Sequence, residues 1–172
     1  MRKNSFWVPV GCTLVASAML LMAQADRKPG LYEMTSTMTW QQSPFPAGMQ
    51  MPAGANSPFG GGPHTMQVCI TQEMIDRYGG PVPQSRGDCR MKNMQKSASG
   101  MTADYVCTGQ MNGTGKVESN WSESGQSHSK VHFTGTMQMG PQSTPVEWTM
   151  ESNSTYKGAD CGSVKPIPIK SE

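Results

Sequence analysis

The chain has 172 residues, of which 35% are hydrophobic and 15% charged, with a formal net charge of +2. That length fits a single domain. The charges are scattered singly, with no basic cluster interleaved with aromatics, which excludes nucleic acid and an anionic membrane surface as electrostatic partners.

Residues 1–25 carry the tripartite export pattern: Arg2 and Lys3 form a basic start, Phe6 to Met22 is largely apolar, and Ala23-Gln24-Ala25 places small residues at a cleavage position. Pro9 and Gly11 interrupt the apolar run, which leaves it too broken for a permanent span of ~20 residues. Lipid attachment needs a cysteine directly after the apolar stretch, and here most of that stretch follows Cys12, so lipidation there is rejected. Cleavage after Ala25 takes the chain from 172 to 147 residues and removes Arg2 and Lys3 from the 14 basic residues, leaving 12 against 12 acidic. The expectation is an exported protein, outside the cytoplasm, with no stable membrane span after cleavage.

The domain proper is expected over residues 26–165. Tyr32, Met34, Ser36, Met38 and Trp40 alternate with Leu31, Glu33, Thr35, Thr37 and Thr39, the period of two of a strand with one covered face. From 41 to 63 the composition turns to Pro, Gly, Ser and Met without periodicity, which predicts a long flexible loop. His64 to Thr71 reads as a second strand, and Thr71 caps a short helix that Gly79-Gly80-Pro81 ends. Further strands are expected at Cys89 to Lys96, Met101 to Thr108, Lys116 to Ser122, Ser129 to Met139 and Pro145 to Tyr156, with Gly, Ser and Asn at the joins. In the strand around Phe133, Val131, Phe133, Gly135, Met137 and Met139 share one face while Lys130, His132, Thr134, Thr136 and Gln138 share the other. The predicted fold is therefore mainly β: an antiparallel meander, curved sheet or open barrel, with one short helix. Residues 166–172 read as an extended tail.

Four cysteines follow the cleavage point: Cys69, Cys89, Cys107 and Cys161. An even count in an exported chain points to two disulfides, and the wide spacings exclude the close pairs that zinc prefers. Three pairings are possible. Cys89 and Cys107 are equidistant from Ala98, a plausible hairpin tip, and a local Cys69–Cys89 bridge fits about as well.

Lys28-Pro29-Gly30-Leu31-Tyr32-Glu33, then Val68-Cys69-Ile70-Thr71, then Cys89, Cys107 and Gly158-Ala159-Asp160-Cys161 follow one another in an order that resembles the secreted bacterial domain-of-unknown-function family numbered 3617. The resemblance covers nearly the whole mature chain and implies a periplasmic location in a Gram-negative cell. It brings no established activity, ligand or catalytic residue; the cysteines and the opening strand are what carries over. The Met- and Pro-rich insert between Trp40 and His64 departs from the family pattern.

Catalytic motifs are missing: there is no Gly-x-Ser-x-Gly elbow, no His-Glu-x-x-His, no phosphate-binding glycine loop and no paired acidic motif. No enzyme and no cofactor is expected. His128 and His132 stand four residues apart on the wet face of one strand, too far apart to share a metal easily. The expected function is a non-enzymatic module for an apolar small molecule or an envelope protein, with Trp40, Trp121, Phe133 and Trp148 as the ligand face. Thirteen of the 16 methionines lie beyond the cleavage point, which raises the alternative of copper(I) binding by Met49, Met51, His64 and Met66, since thioethers and imidazole suit a soft cation. The plainest alternative is a structural envelope protein with no small ligand, its methionines filling a core poor in Leu and Ile.

Overall fold

The computed structural model describes residues 27–45, 62–80, 88–167 and 169. The expected signal segment, most of the 41–63 loop with Met49 and Met51, and the last residues of the tail lie outside the described residues.

Seven strands form one antiparallel sheet: β1 (Gly30–Gln42), β2 (His64–Ile70), β3 (Cys89–Lys96), β4 (Gly100–Thr108), β5 (Met111–Trp121), β6 (Gln126–Met139) and β7 (Gln142–Gly158). Their order is β2-β1-β7-β6-β5-β4-β3. Strands β3 to β7 are a plain meander, and β1 returns to pair with β7, so the sheet stays open with β2 and β3 as its edges. The expected antiparallel meander is present as an open sheet that does not close into a barrel. The strands that join at Gly-Pro or Ser-Gly turns run longer than the sequence pattern predicts. β5, for example, begins at Met111, not Lys116, because Gly113 and Gly115 lie inside the ladder with β6.

The sheet is nonetheless strongly coiled. Helix α1 (Gln72–Tyr78) follows the edge strand β2, yet Lys96 at the end of the opposite edge strand donates from Nζ to the carbonyl oxygen of Asp76. The predicted cap is present: Thr71 Oγ1 accepts from the backbone N–H of Met74 at 3.2 Å, and Gly79 ends the helix in the left-handed conformation with φ 73°. In β3 a bulge falls between Lys92 and Gln95, with Asn93 at φ 50°, so that Met94 joins Met91 on the inner face.

The two faces separate as the period of two demands. The outer one carries Thr, Glu, Lys and His, tied across strands by Lys116–Asp104, Lys130–Glu151 at 3.2 Å, His132–Glu147 at 3.0 Å and Lys157–Glu33 at 2.8 Å. Such exposed pairs add little stability and mainly hold register. The inner face holds the main core, with Tyr105, Val117, Val131, Phe133, Val146 and Trp148 among its buried members. A second cluster of Tyr32, Ile70 and Met74 joins β1, β2 and α1, with Ile167 and Ile169 of the tail packed against it.

Both disulfides form, and the pairing left open by sequence is settled. Cys89 bonds Cys107, its direct register partner across the β3–β4 hairpin, and Cys69 bonds Cys161. The chain-entropy account gives about 3 kcal/mol for the short loop and about 4–5 for the one that spans 92 residues. The long bridge also holds the tail along β2, where Cys69 and Pro166 make an isolated parallel β-bridge.

Candidate functional site

Register arranges the inner face in rows that cross the sheet. One row runs Trp40, Trp148, Phe133, Gly115, Tyr105 over β1, β7, β6, β5 and β4. Phe133 and Trp148 stack with ring centroids 5.3 Å apart, and Tyr105 meets Phe133 edge-on at 6.2 Å. Gly115 lies between the two rings in register, and a Cβ there would sit 2.4 Å from the carbonyl oxygen of His132, so the close β5–β6 approach favours a residue without a side chain. Three of the four predicted ligand-face residues are thus neighbours. Phe133 and Trp148 are floor residues, at 0% and 4% exposure, while Trp40 is half-buried beside Phe45.

Trp121 lies apart from them. It sits opposite Ser127 on β6, six residues from Phe133 along that strand, about 20 Å away at ~3.3 Å per residue. There its indole N–H donates to the carbonyl of Ala98 at 3.0 Å, and its ring faces the guanidinium of Arg27.

Arg27 is the centre of this second region, and sequence reasoning missed it because a lone basic residue next to Lys28, ahead of the first strand, looks ordinary. It is 7% exposed. It donates to the carbonyl of Gly79 at 2.9 Å, to Ser127 Oγ at 3.0 Å and to Ser154 Oγ at 3.4 Å, and it lies over the Tyr32 ring. Among the described residues no carboxylate pairs with it. Burial pulls its pKa down from the ordinary value, and burial raises that of Tyr32, partly offset by the charge on Arg27. A Cβ at Gly80 would fall 1.7 Å from Nη1, so a side chain there would displace the guanidinium.

Between the two regions runs a row of small hydroxyls: Ser36, Ser152, Ser129 and Ser119 on β1, β7, β6 and β5. Ser36 bonds Ser152 at 2.8 Å and Ser119 bonds Ser129 at 2.7 Å. The signal was present in sequence, for these serines share the parity of Met38, Met150, Val131 and Val117.

One polar atom of the aromatic row is unsatisfied. Nε1 of Trp148 is shielded from solvent and has no hydrogen-bond partner. The partly buried residues packed against the main core as a whole are Met38, Met91, Met94, Met111, Met137 and Met150 with the two tryptophans Trp40 and Trp121. A depression of about 610 Å³ runs along the edge strand β3, lined by Arg90, Met91, Lys92 and Asn93, outside every predicted site.

Of the predicted metal ligands, Met49 and Met51 lie outside the described residues, while His64 and Met66 stand on β2 two residues apart on one face. Among the described residues no group of three His, Cys, Asp or Glu side chains converges as a metal site. His128 and His132 are exposed and bond Asn153 and Glu147, each at 3.0 Å. Asp160, next to Cys161, accepts from the backbone N–H of Gly162 at 2.8 Å, and the sulfur beside it is in a bridge. No helix among the described residues is long and apolar enough to cross a membrane.

Fold and site together define an open, coiled antiparallel sheet domain with two disulfides and a methionine-flanked core on its inner face. The sequence model of the family described as "Protein of unknown function (DUF3617)" matches residues 27–161, and the chain belongs to that family. No curated protein and no solved structure matches it.

Proposed function

We propose that this is an exported, non-enzymatic binding module of the envelope whose inner sheet face takes an apolar small molecule bearing a hydrogen-bond acceptor. The observation that carries the reading is the orphan N–H of Trp148 on an inner face whose core is flanked by six partly buried methionines. A buried donor without a partner costs about 1–3 kcal/mol, a cost that an acceptor on a ligand removes. Methionine is flexible and polarisable, so it repacks around a guest without the strain that a branched side chain would meet. Phe133 and Trp148 supply the aromatic floor, and the outer face, covered with paired charges, offers nothing comparable.

The test is thermal unfolding of the oxidised mature domain, with and without dodecanol or dodecane. Binding to the folded state alone raises stability by about 2.7 kcal/mol at a hundredfold excess over Kd. The expected result is a Tm rise with dodecanol that exceeds the rise with dodecane, the preference being lost in Trp148→Phe. A Tm indifferent to both molecules sinks the reading in favour of a filled core. The export half is tested separately by the intact mass of protein recovered from a periplasmic extract: processing after Ala25 is expected, and an unprocessed chain opposes it.

A further inference from the structure

We propose that the β1–β2 ladder carries a binding site for a soft monovalent cation, copper(I), formed by the thioethers of Met34 and Met66 and the imidazole of His64. Met34 on β1 is the direct register partner of Met66 on β2, and Ser36 that of His64, so all of these side chains leave the same face. Directly opposed residues have Cβ atoms ~4.5–5.5 Å apart and diagonal ones ~7–8 Å, within reach of three long side chains that converge. Met34 is the ligand that sequence spacing alone does not supply, since 30 residues separate it from His64.

Two features set this group apart from packing residues. Met66 is 50% exposed, against the expectation that a methionine of this sheet fills its core. Nε2 of His64, by contrast, is shielded from solvent and has no hydrogen-bond partner, although a shielded ring nitrogen normally finds one. An imidazole nitrogen with two thioethers and no carboxylate is a set that favours copper(I) over zinc, calcium or magnesium. The ladder is held on either side of the group: Thr35 and Thr65 bond through their hydroxyls at 2.8 Å on the other face, and the Cys69–Cys161 bridge ties the far end of β2. The ligands are therefore positioned by backbone register before any cation arrives.

The site is independent of the apolar ligand reading, because it uses neither Trp148 nor the six methionines that flank the core. The test titrates the oxidised mature domain with silver(I) in chloride-free buffer, and with copper(I) kept reduced by ascorbate, read by native mass spectrometry and by the methyl shifts of its methionines. One cation per chain is expected, with the Met34 and Met66 methyls moving together and the exposed Met139 unmoved. Met34→Leu, Met66→Leu and His64→Gln should each weaken binding at least about tenfold, while Met139→Leu binds as the parent does. The proposal is overturned if no one-to-one complex forms, or if Met34→Leu binds like the parent. It is equally overturned if replacing Met49 and Met51 alone abolishes binding, which would move the site to the 46–61 segment. Should a variant fail to fold, the methyl shifts of the unsubstituted protein decide the matter alone.

Discussion

The aromatic row and the serine row cross the same strands on the same face, two register steps apart, and they solve opposite problems. At the aromatic row, Trp40, Trp148, Phe133 and Tyr105 line the inner face with rings, and Gly115 lies between Phe133 and Tyr105 in register. At the serine row the side chains are short, their hydroxyls satisfy one another, and beyond them Arg27 reaches across the face to the end of α1. The two rows thus divide the inner face, with rings at one level and hydroxyls next to the region where Arg27 meets the end of α1.

The largest effect should come from the aromatic row. Phe133→Ala removes a fully buried ring that touches both neighbours, and is expected to cost about 3–5 kcal/mol in urea unfolding. A loss under about 1 kcal/mol would mean that the floor is already loose, and would erase the contrast with the serine region. Next in size is Arg27→Ala, which removes hydrogen bonds to Gly79 and Ser127 and a cation over two rings, at an expected cost of about 2–3 kcal/mol. Arg27→Met sharpens the point. It keeps much of the volume without a buried charge that lacks a counterion, so it should recover most of that loss, as replaced buried ions often do. If Met proves as damaging as Ala, the hydrogen bonds hold this end and packing does not.

Much of this was legible from alternation, because a period of two assigns both faces at once. Tyr32 to Trp40 and Val131 to Met139 were placed on the inner face from pattern alone, and Thr71 with Gly79 marked both ends of the helix. What alternation does not carry is order across the sheet. That β1 sits between β2 and β7 depends on contacts distant in sequence, so Trp40, Phe133 and Trp148 could be grouped while Trp121, of the same type and parity, could not be assigned to the other end. The same gap hid Met34 as a partner of Met66. Arg27 was missed for another reason: charge usually stays in water, and only a three-dimensional accounting shows a guanidinium held by a carbonyl and two hydroxyls. The disulfide pairing was half legible, since the hairpin explains Cys89–Cys107 and nothing local predicts a bridge over 92 residues.

The smallest effect separates the two regions by pH. Tyr105 belongs to the aromatic row, and burial alone raises its pKa above 10.0; Tyr32 is also raised by burial, but the charge and hydrogen bonding of Arg27 pull it back. A phenol whose folded pKa is raised contributes stability that is fully present below the unfolded value and is lost as pH climbs through the folded one. Both tyrosines therefore weaken the fold on the alkaline side of 10.0. Tyr105→Phe should leave neutral stability nearly unchanged and make the alkaline decline shallower, as read from unfolding midpoints on either side of that pH. Tyr32→Phe should instead lower stability at every pH, because Tyr32 Oη donates to the carbonyl of Lys28 at 2.7 Å, and should change the alkaline slope less. Repeating Tyr32→Phe in an Arg27→Met background isolates the arginine: an unchanged difference in alkaline slope would show that Arg27 exerts no field on Tyr32. The arginine would then act through its hydrogen bonds and ring contacts alone, and the difference between the rows would be one of size rather than of charge.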